Sequence, residues 1–172
     1  MTPQNKNILL ILLGILGITA ITKGGSLAKA LTFIKKAEGG LYLKSYLDSG
    51  GVATIGYGST YDFDKQRKVQ MGDIITKEQA ERWLQITTSK DAEEIKRIVK
   101  VPLNNNQLNA LISLSYNIGI NAFKTSTMLK LLNSGADKNE VAQQFDRWVF
   151  DNGVKVKGLI NRRNAEKNLF LS

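Results

Sequence analysis

The sequence predicts an α+β fold that is mainly α, with a small antiparallel sheet toward its N-terminal side and an apolar helix ahead of it. Three observations predict it. There is an uncharged apolar run near the start, a stretch of alternating aromatic and β-branched residues around a glycine-rich turn, and a long remainder with helical periodicity whose starts carry capping boxes.

The elements follow in order. Ile8 to Thr22 is a run of fifteen residues without charge, bounded by Lys6 and Lys23. As a helix it spans about 22 Å at ~1.5 Å per residue, short of a hydrocarbon core of roughly 30 Å. Gly14, Gly17, Thr19, Ala20 and Thr22 dilute it, so its pull on a bilayer is weaker than that of an all-Leu/Ile anchor. It reads as a membrane-directed segment, either a signal peptide cut near Ser26-Leu27-Ala28, a permanent anchor, or an anchor that later leaves the bilayer. Residues 1–23 are therefore separated from a domain at 24–172 by a Gly24-Gly25 hinge.

Ser26 suits an N-cap, and Leu27, Leu31 and Ile34 share one face of a helix that Gly39-Gly40 terminates. Tyr46, Val52, Thr54, Ile55 and Tyr57 surround Asp48-Ser-Gly-Gly51, which predicts a small antiparallel sheet over 42–61. Thr76 with Gln79, Asn104 with Gln107, and Asp137 with Glu140 form capping boxes. Helices are expected over 77–100 (broken near Thr87-Thr88-Ser89), 105–117, 125–133, 138–150 and 159–170. Their apolar seam is Phe123, Met128, Leu129, Leu132, Val141, Phe145, Trp148, Leu159 and Leu169.

Composition narrows the chemistry. In 172 residues, 42% hydrophobic, there is no Cys and no His, which excludes disulfides, thiolate nucleophiles, Cys-based zinc sites and imidazole bases. Acid–base work must fall to carboxylates, Lys or Tyr. The 24 Lys+Arg against 15 Asp+Glu give a net charge of +9, suited to a polyanionic partner. The basic residues are scattered and mixed with acids through 77–100, unlike the basic stripe with interleaved aromatics of a nucleic-acid binder. No nucleic-acid partner is expected.

Glu38 ends a predicted helix, Asp48 lies at the hairpin turn, and Thr54 is in the following strand. The partial negative charge of a helix C-terminus disfavours a carboxylate there, which suits a general acid. A solvated turn Asp suits the ionised partner, and two carboxylates in unlike environments are the pattern for glycoside hydrolysis. A Thr hydroxyl can donate to the Asp and accept from water. By themselves these residues read more readily as a solvated helix terminus and a structural turn than as a catalytic set.

A longer pattern adds to this. The run Phe33 to Gly58, with Glu38-Gly-Gly and Asp48-Ser-Gly-Gly-Val-Ala-Thr-Ile-Gly-Tyr-Gly58, resembles the phage-type lysozymes of glycoside hydrolase family 24. Gln107 to Gly119 with Ala122-Phe123 and Ser126-Thr127, and Phe145-Asp-Arg-Trp148 through Gly158 to Glu166 and Leu171, resemble two further blocks of that family, in the same order.

The resemblance implies a lysozyme-like two-lobed domain. It also implies a muramidase cleaving the β-1,4 bond between N-acetylmuramic acid and N-acetylglucosamine in peptidoglycan by an inverting reaction, with no metal or cofactor. Glu38 would be the proton donor, Asp48 the carboxylate that positions water, and Thr54 its hydrogen-bonding partner. Tyr57, Asn117 and Arg163 would line the sugar cleft, though Asn117 reads equally as the polar end of a helix, and Arg162 and Arg163 read more readily as a solvated or ion-paired helix face than as sugar contacts. Trp83 could stack on sugars, while Trp148 fits a core position.

The chain departs from the family pattern in carrying one more residue between Glu38 and Asp48, and in having Ser59 where the family often has His. Its diluted apolar N-terminus resembles that of signal-arrest-release endolysins, which implies tethering to the inner membrane through residues 8–22 and then release into the periplasm, as a monomer. A wall-binding protein with an idle site, and a lytic transglycosylase needing a single acid, are the alternatives.

Overall fold

A computed structural model describes residues 27–172; the apolar run at 8–22, the Gly24-Gly25 hinge and the Ser26 cap lie outside the described residues. Helix α1 (Ala28–Ala37) leads into strand β1 (Tyr42–Leu47), which pairs antiparallel with β2 (Ala53–Gly56). A separate hairpin follows, β3 (Tyr61–Asp62) with β4 (Arg67–Lys68). The single sheet expected over 42–61 is thus two hairpins, because Gly58 and the Ile55–Ser59 bridge turn the chain before a third strand can join.

Helix α2 (Lys77–Ile98) connects two hydrophobic clusters. Its first half places Ala80, Trp83 and Leu84 with Ile34, Ile55, Tyr57, Val69 and Ile75 against the hairpins. Its second half places Ala92 and Ile95 in the larger helical cluster. The break expected at Thr87-Thr88-Ser89 does not occur. The Thr87 and Thr88 hydroxyls donate to the carbonyls of Trp83 (3.0 Å) and Leu84 (2.8 Å), so these hydroxyls are satisfied within a continuous helix.

The capping boxes at Thr76/Gln79 and Asn104/Gln107 are both present. The Asp137 side chain instead accepts from the Asn139 N–H at 2.8 Å, so that start is a simple Asx cap. Helix α3 (Asn105–Ile118) is central, and its run from Leu108 to Ser115 is buried on every face, as a helix enclosed by others must be. Helix α1, α2 and α7 (Lys157–Leu171) all pack on it. Asn109 on α3 accepts from the Ala30 N–H at 2.8 Å, satisfying a donor in the first turn of α1.

One short helix is additional to those expected, and one expected helix divides. The helix expected at 125–133 is preceded by a short α4 (Ile120–Lys124), and α5 (Thr127–Ser134) starts at the Ser126 cap. The one at 138–150 is α6 (Lys138–Gln143) followed by a 3-10 turn at Gln144–Arg147. A hairpin, β5 (Phe150–Asp151) with β6 (Val154–Lys155), then turns on Asn152 and Gly153 at φ 48 and 79. That dipeptide is a type I′ turn signal.

Phe123, Met128, Leu129, Leu132, Val141 and Phe145 form the large cluster as expected, with Trp148 and Leu169 packed on it. Leu159 is not in that cluster, because the buried face of α7 is built from Arg162, Arg163, Glu166 and Phe170.

Asp91, on α2, is 7% exposed, and no hydrogen bond to its carboxylate is found among the described residues. Burial pushes it up to about 6. Because the folded value exceeds the ordinary one, the charged form penalises folding. The penalty is absent below about pH 4, grows up to about pH 6 and is constant above. Asp91→Asn is expected to stabilise the protein by roughly 1–3 kcal/mol at pH 8, with the gain vanishing near pH 4. Urea unfolding of both proteins at several pH values checks this.

Candidate active site

Glu38 is the C-cap of α1, its N–H donating to the Ile34 carbonyl at 2.9 Å. Gly39 (φ 71) and Gly40 (φ 132) then reverse the chain in conformations that favour glycine. The added residue between Glu38 and Asp48 falls in a stretch that holds this reversal and a bulge in β1 between Tyr42 and Tyr46.

The Glu38 side chain is 19% exposed and is held through one of its oxygens. Arg162 Nη1 donates to Oε1 at 2.8 Å. Oε2 faces Gly58, where a β-carbon would lie only 2.8 Å away. The expectation of a simple helix-end carboxylate is therefore incomplete: a guanidinium from α7, 124 residues away in sequence, opposes the helix-end field.

Asp48 holds the β1–β2 hairpin. Its Oδ1 accepts from the N–H groups of Gly50 (2.9 Å) and Val52 (2.8 Å), which leaves Oδ2 toward Thr54. Thr54 lies opposite Tyr46 in the strand register and is buried. Its hydroxyl has one proton and two acceptors in reach, the Val52 carbonyl at 3.0 Å and Asp48 Oδ2 at 3.4 Å. The shorter contact takes the proton, so the hydroxyl can donate to Oδ2 only by giving up that carbonyl, while its lone pairs can still accept from a water.

Burial first, then the charges of Glu38, Tyr42 and Asp48, push the Tyr46 hydroxyl above the usual phenol range.

The residues expected to line the cleft are placed differently from one another. Asn117 is exposed at the end of α3, and its Oδ1 accepts from Arg163 Nη2 at 2.8 Å. Tyr57 is largely buried; its carbonyl accepts from the Tyr116 hydroxyl at 2.6 Å and its ring lies under Lys35 Nζ at 5.3 Å. Arg163 is fully buried and pairs with Glu166 at 3.0 Å. Burial pulls its guanidinium down to about 10, and it stays charged at neutral pH. Trp83 is buried in the small cluster. Ser59, in the family's His position, donates its hydroxyl to the Tyr61 carbonyl at 2.8 Å.

Sequence reasoning passed over Arg162 as the partner of Glu38, and also Gly58, Ser113 and Glu166. The local signal was an Arg-Arg-x-x-Glu spacing, which puts Arg162 and Glu166 one helical turn apart.

Two hydrophobic clusters bridged by one long helix, with Glu38 at a helix end and Asp48 and Thr54 on the hairpin that follows, make up a lysozyme-like fold. The chain belongs to the phage lysozyme family, whose model matches residues 35–166. It is 42% identical over 148 residues to the endolysin of Acyrthosiphon pisum secondary endosymbiont phage 1, covering 84% of this chain and 96% of that protein. It is 41% identical over 152 residues to the SAR-endolysin of Pseudomonas phage phiKMV, covering 84% and 87%. The solved endolysin of Escherichia coli O157:H7 phage FAHEc1 superposes with a TM-score of 0.74 at 39% identity, covering 84% of this chain and 92% of that one.

Proposed function

We propose that this chain is an endolysin that hydrolyses the β-1,4 bond between N-acetylmuramic acid and N-acetylglucosamine in peptidoglycan, with inversion, and so lyses a bacterial host. The observation that carries this reading is Glu38, bonded to Arg162 and set against Gly58 at the end of α1, with the β1–β2 hairpin that bears Asp48 and Thr54 running directly into Gly58. Glu38 protonates the leaving oxygen, and Asp48, with the Thr54 hydroxyl turned from Val52, holds the water that attacks from the opposite face. No metal or cofactor takes part.

Asn117 contacts sugar: Arg163 occupies its Oδ1, which leaves Nδ2 to donate. Tyr57 forms wall behind it, and Arg163 acts through Asn117. Residues 1–23 act as a releasable signal anchor and 24–172 as the muramidase domain, tethered at the inner membrane and then free as a monomer in the periplasm. The likeness to a SAR-endolysin supports that route. Among the described residues no helix is long and apolar enough to cross a membrane.

The test is Asp48→Asn against wild type on soluble glycan fragments. Asn keeps the Oδ1 acceptor that the Gly50 and Val52 N–H groups use, so the hairpin stays. Turnover is expected to fall at least about 100-fold. Proton NMR of the fresh wild-type product is expected to show the α-anomer first; the β-anomer first would overturn inversion.

A further inference from the structure

Arg162 is the one basic side chain bonded to Glu38 among the described residues, and its other two nitrogens are also engaged. Nε donates to Glu166 Oε1 at 3.1 Å and Nη2 to the Ser113 carbonyl at 3.1 Å. Glu166 is wholly buried; Oε1 also accepts from the Ser113 hydroxyl at 2.6 Å, and Oε2 lies 3.0 Å from Arg163 Nε. The four charges Glu38, Arg162, Glu166 and Arg163 thus sum to zero when both carboxylates are ionised.

A general acid must pass through its protonated form. With Glu38 neutral, Arg162 would be an uncompensated buried cation unless another carboxylate stays with it, and an unpaired buried charge relaxes toward water. We propose that Glu166 is a positioning residue of the catalytic site: a standing counter-charge that holds the Arg162 guanidinium in one place whether Glu38 carries its proton or not. Ser113 aims Glu166, and Arg163 extends the same chain to Asn117 at the cleft, so one buried cluster on α7 sets the acid and a proposed sugar contact together. This rests on the reading of Glu38 as proton donor.

Charge and shape can be separated by two variants. Glu166→Gln keeps the shape and removes the charge, whereas Glu166→Asp keeps the charge and shortens the reach. On soluble peptidoglycan fragments, Glu166→Gln is expected to lose about 30-fold in kcat with KM within about twofold, and Glu166→Asp to retain more activity than Glu166→Gln. A packing role predicts the opposite order, and that order, or a kcat loss no greater than in the core variant Phe145→Leu, overturns the proposal. Should Glu166→Gln fail to fold, Ser113→Ala carries the test, with about a threefold loss of kcat at constant KM expected and unchanged kcat contradicting it. Glu38→Gln is run alongside. If it stays active, the proton-donor reading fails; if it is inactive while the Glu166 order is that of packing, the positioning role alone fails.

Discussion

Glu38→Gln is expected to abolish wall clearing, with turnover reduced about 10²–10⁴-fold, the usual contribution of a positioned acid. The substitution is close to isosteric. Gln can still accept the Arg162 Nη1 hydrogen bond through Oε1, so α1 and the contact to α7 are expected to persist. What is lost is a transferable proton, together with the partner charge of a nearly buried guanidinium that keeps its contact to Glu166. Stability should therefore change by only about 1–3 kcal/mol, small beside the loss of activity. Thermal melting beside a turbidity assay on permeabilised walls separates the two.

Gly58→Ala is expected to come second in effect. Gly58 has φ +87, and a β-carbon there would meet Glu38 Oε2 at 2.8 Å and its carboxyl carbon at 3.3 Å. The carboxylate is the far end of a flexible side chain, but Arg162 pins its other oxygen, so relief means moving the acid from its place. A displacement near 1 Å costs on the order of 10²-fold in rate, and the left-handed backbone adds about 1–2 kcal/mol of instability. Gly72→Ala is the control: φ is +94, yet nothing lies within 4 Å of the added carbon. It should suffer the same backbone penalty and keep full turnover.

The parts of the fold that sequence made legible are those fixed by neighbours along the chain. The boxes at Thr76 and Asn104 mark two helix starts because capping is a contact between residues three apart. The Asp48 turn, which brings Thr54 opposite Tyr46, is equally local. Where the reading missed, tertiary contacts decided. The Thr87-Thr88 pair reads as a break, but its hydroxyls bond back into the helix. The hairpin at Phe150–Lys155 was overlooked although Asn152-Gly153 signalled it.

At the site, Glu38, Asp48 and Thr54 could be picked out from one contiguous stretch and the family pattern. The guanidinium that holds Glu38 lies on the last helix, and a pairing of that sequence separation leaves no periodicity to read. The same helix hid its role by burying Arg162, Arg163 and Glu166 where an apolar stripe would be expected.

The most direct test is digestion of peptidoglycan in heavy-oxygen water, with the released muropeptides read by mass spectrometry. Hydrolysis through Glu38 predicts reducing muramic ends that each carry one heavy oxygen, and none from Glu38→Gln. Unlabelled anhydro-muramic ends would contradict hydrolysis and make the chain a transglycosylase, and labelled ends from Glu38→Gln would remove Glu38 from the chemistry.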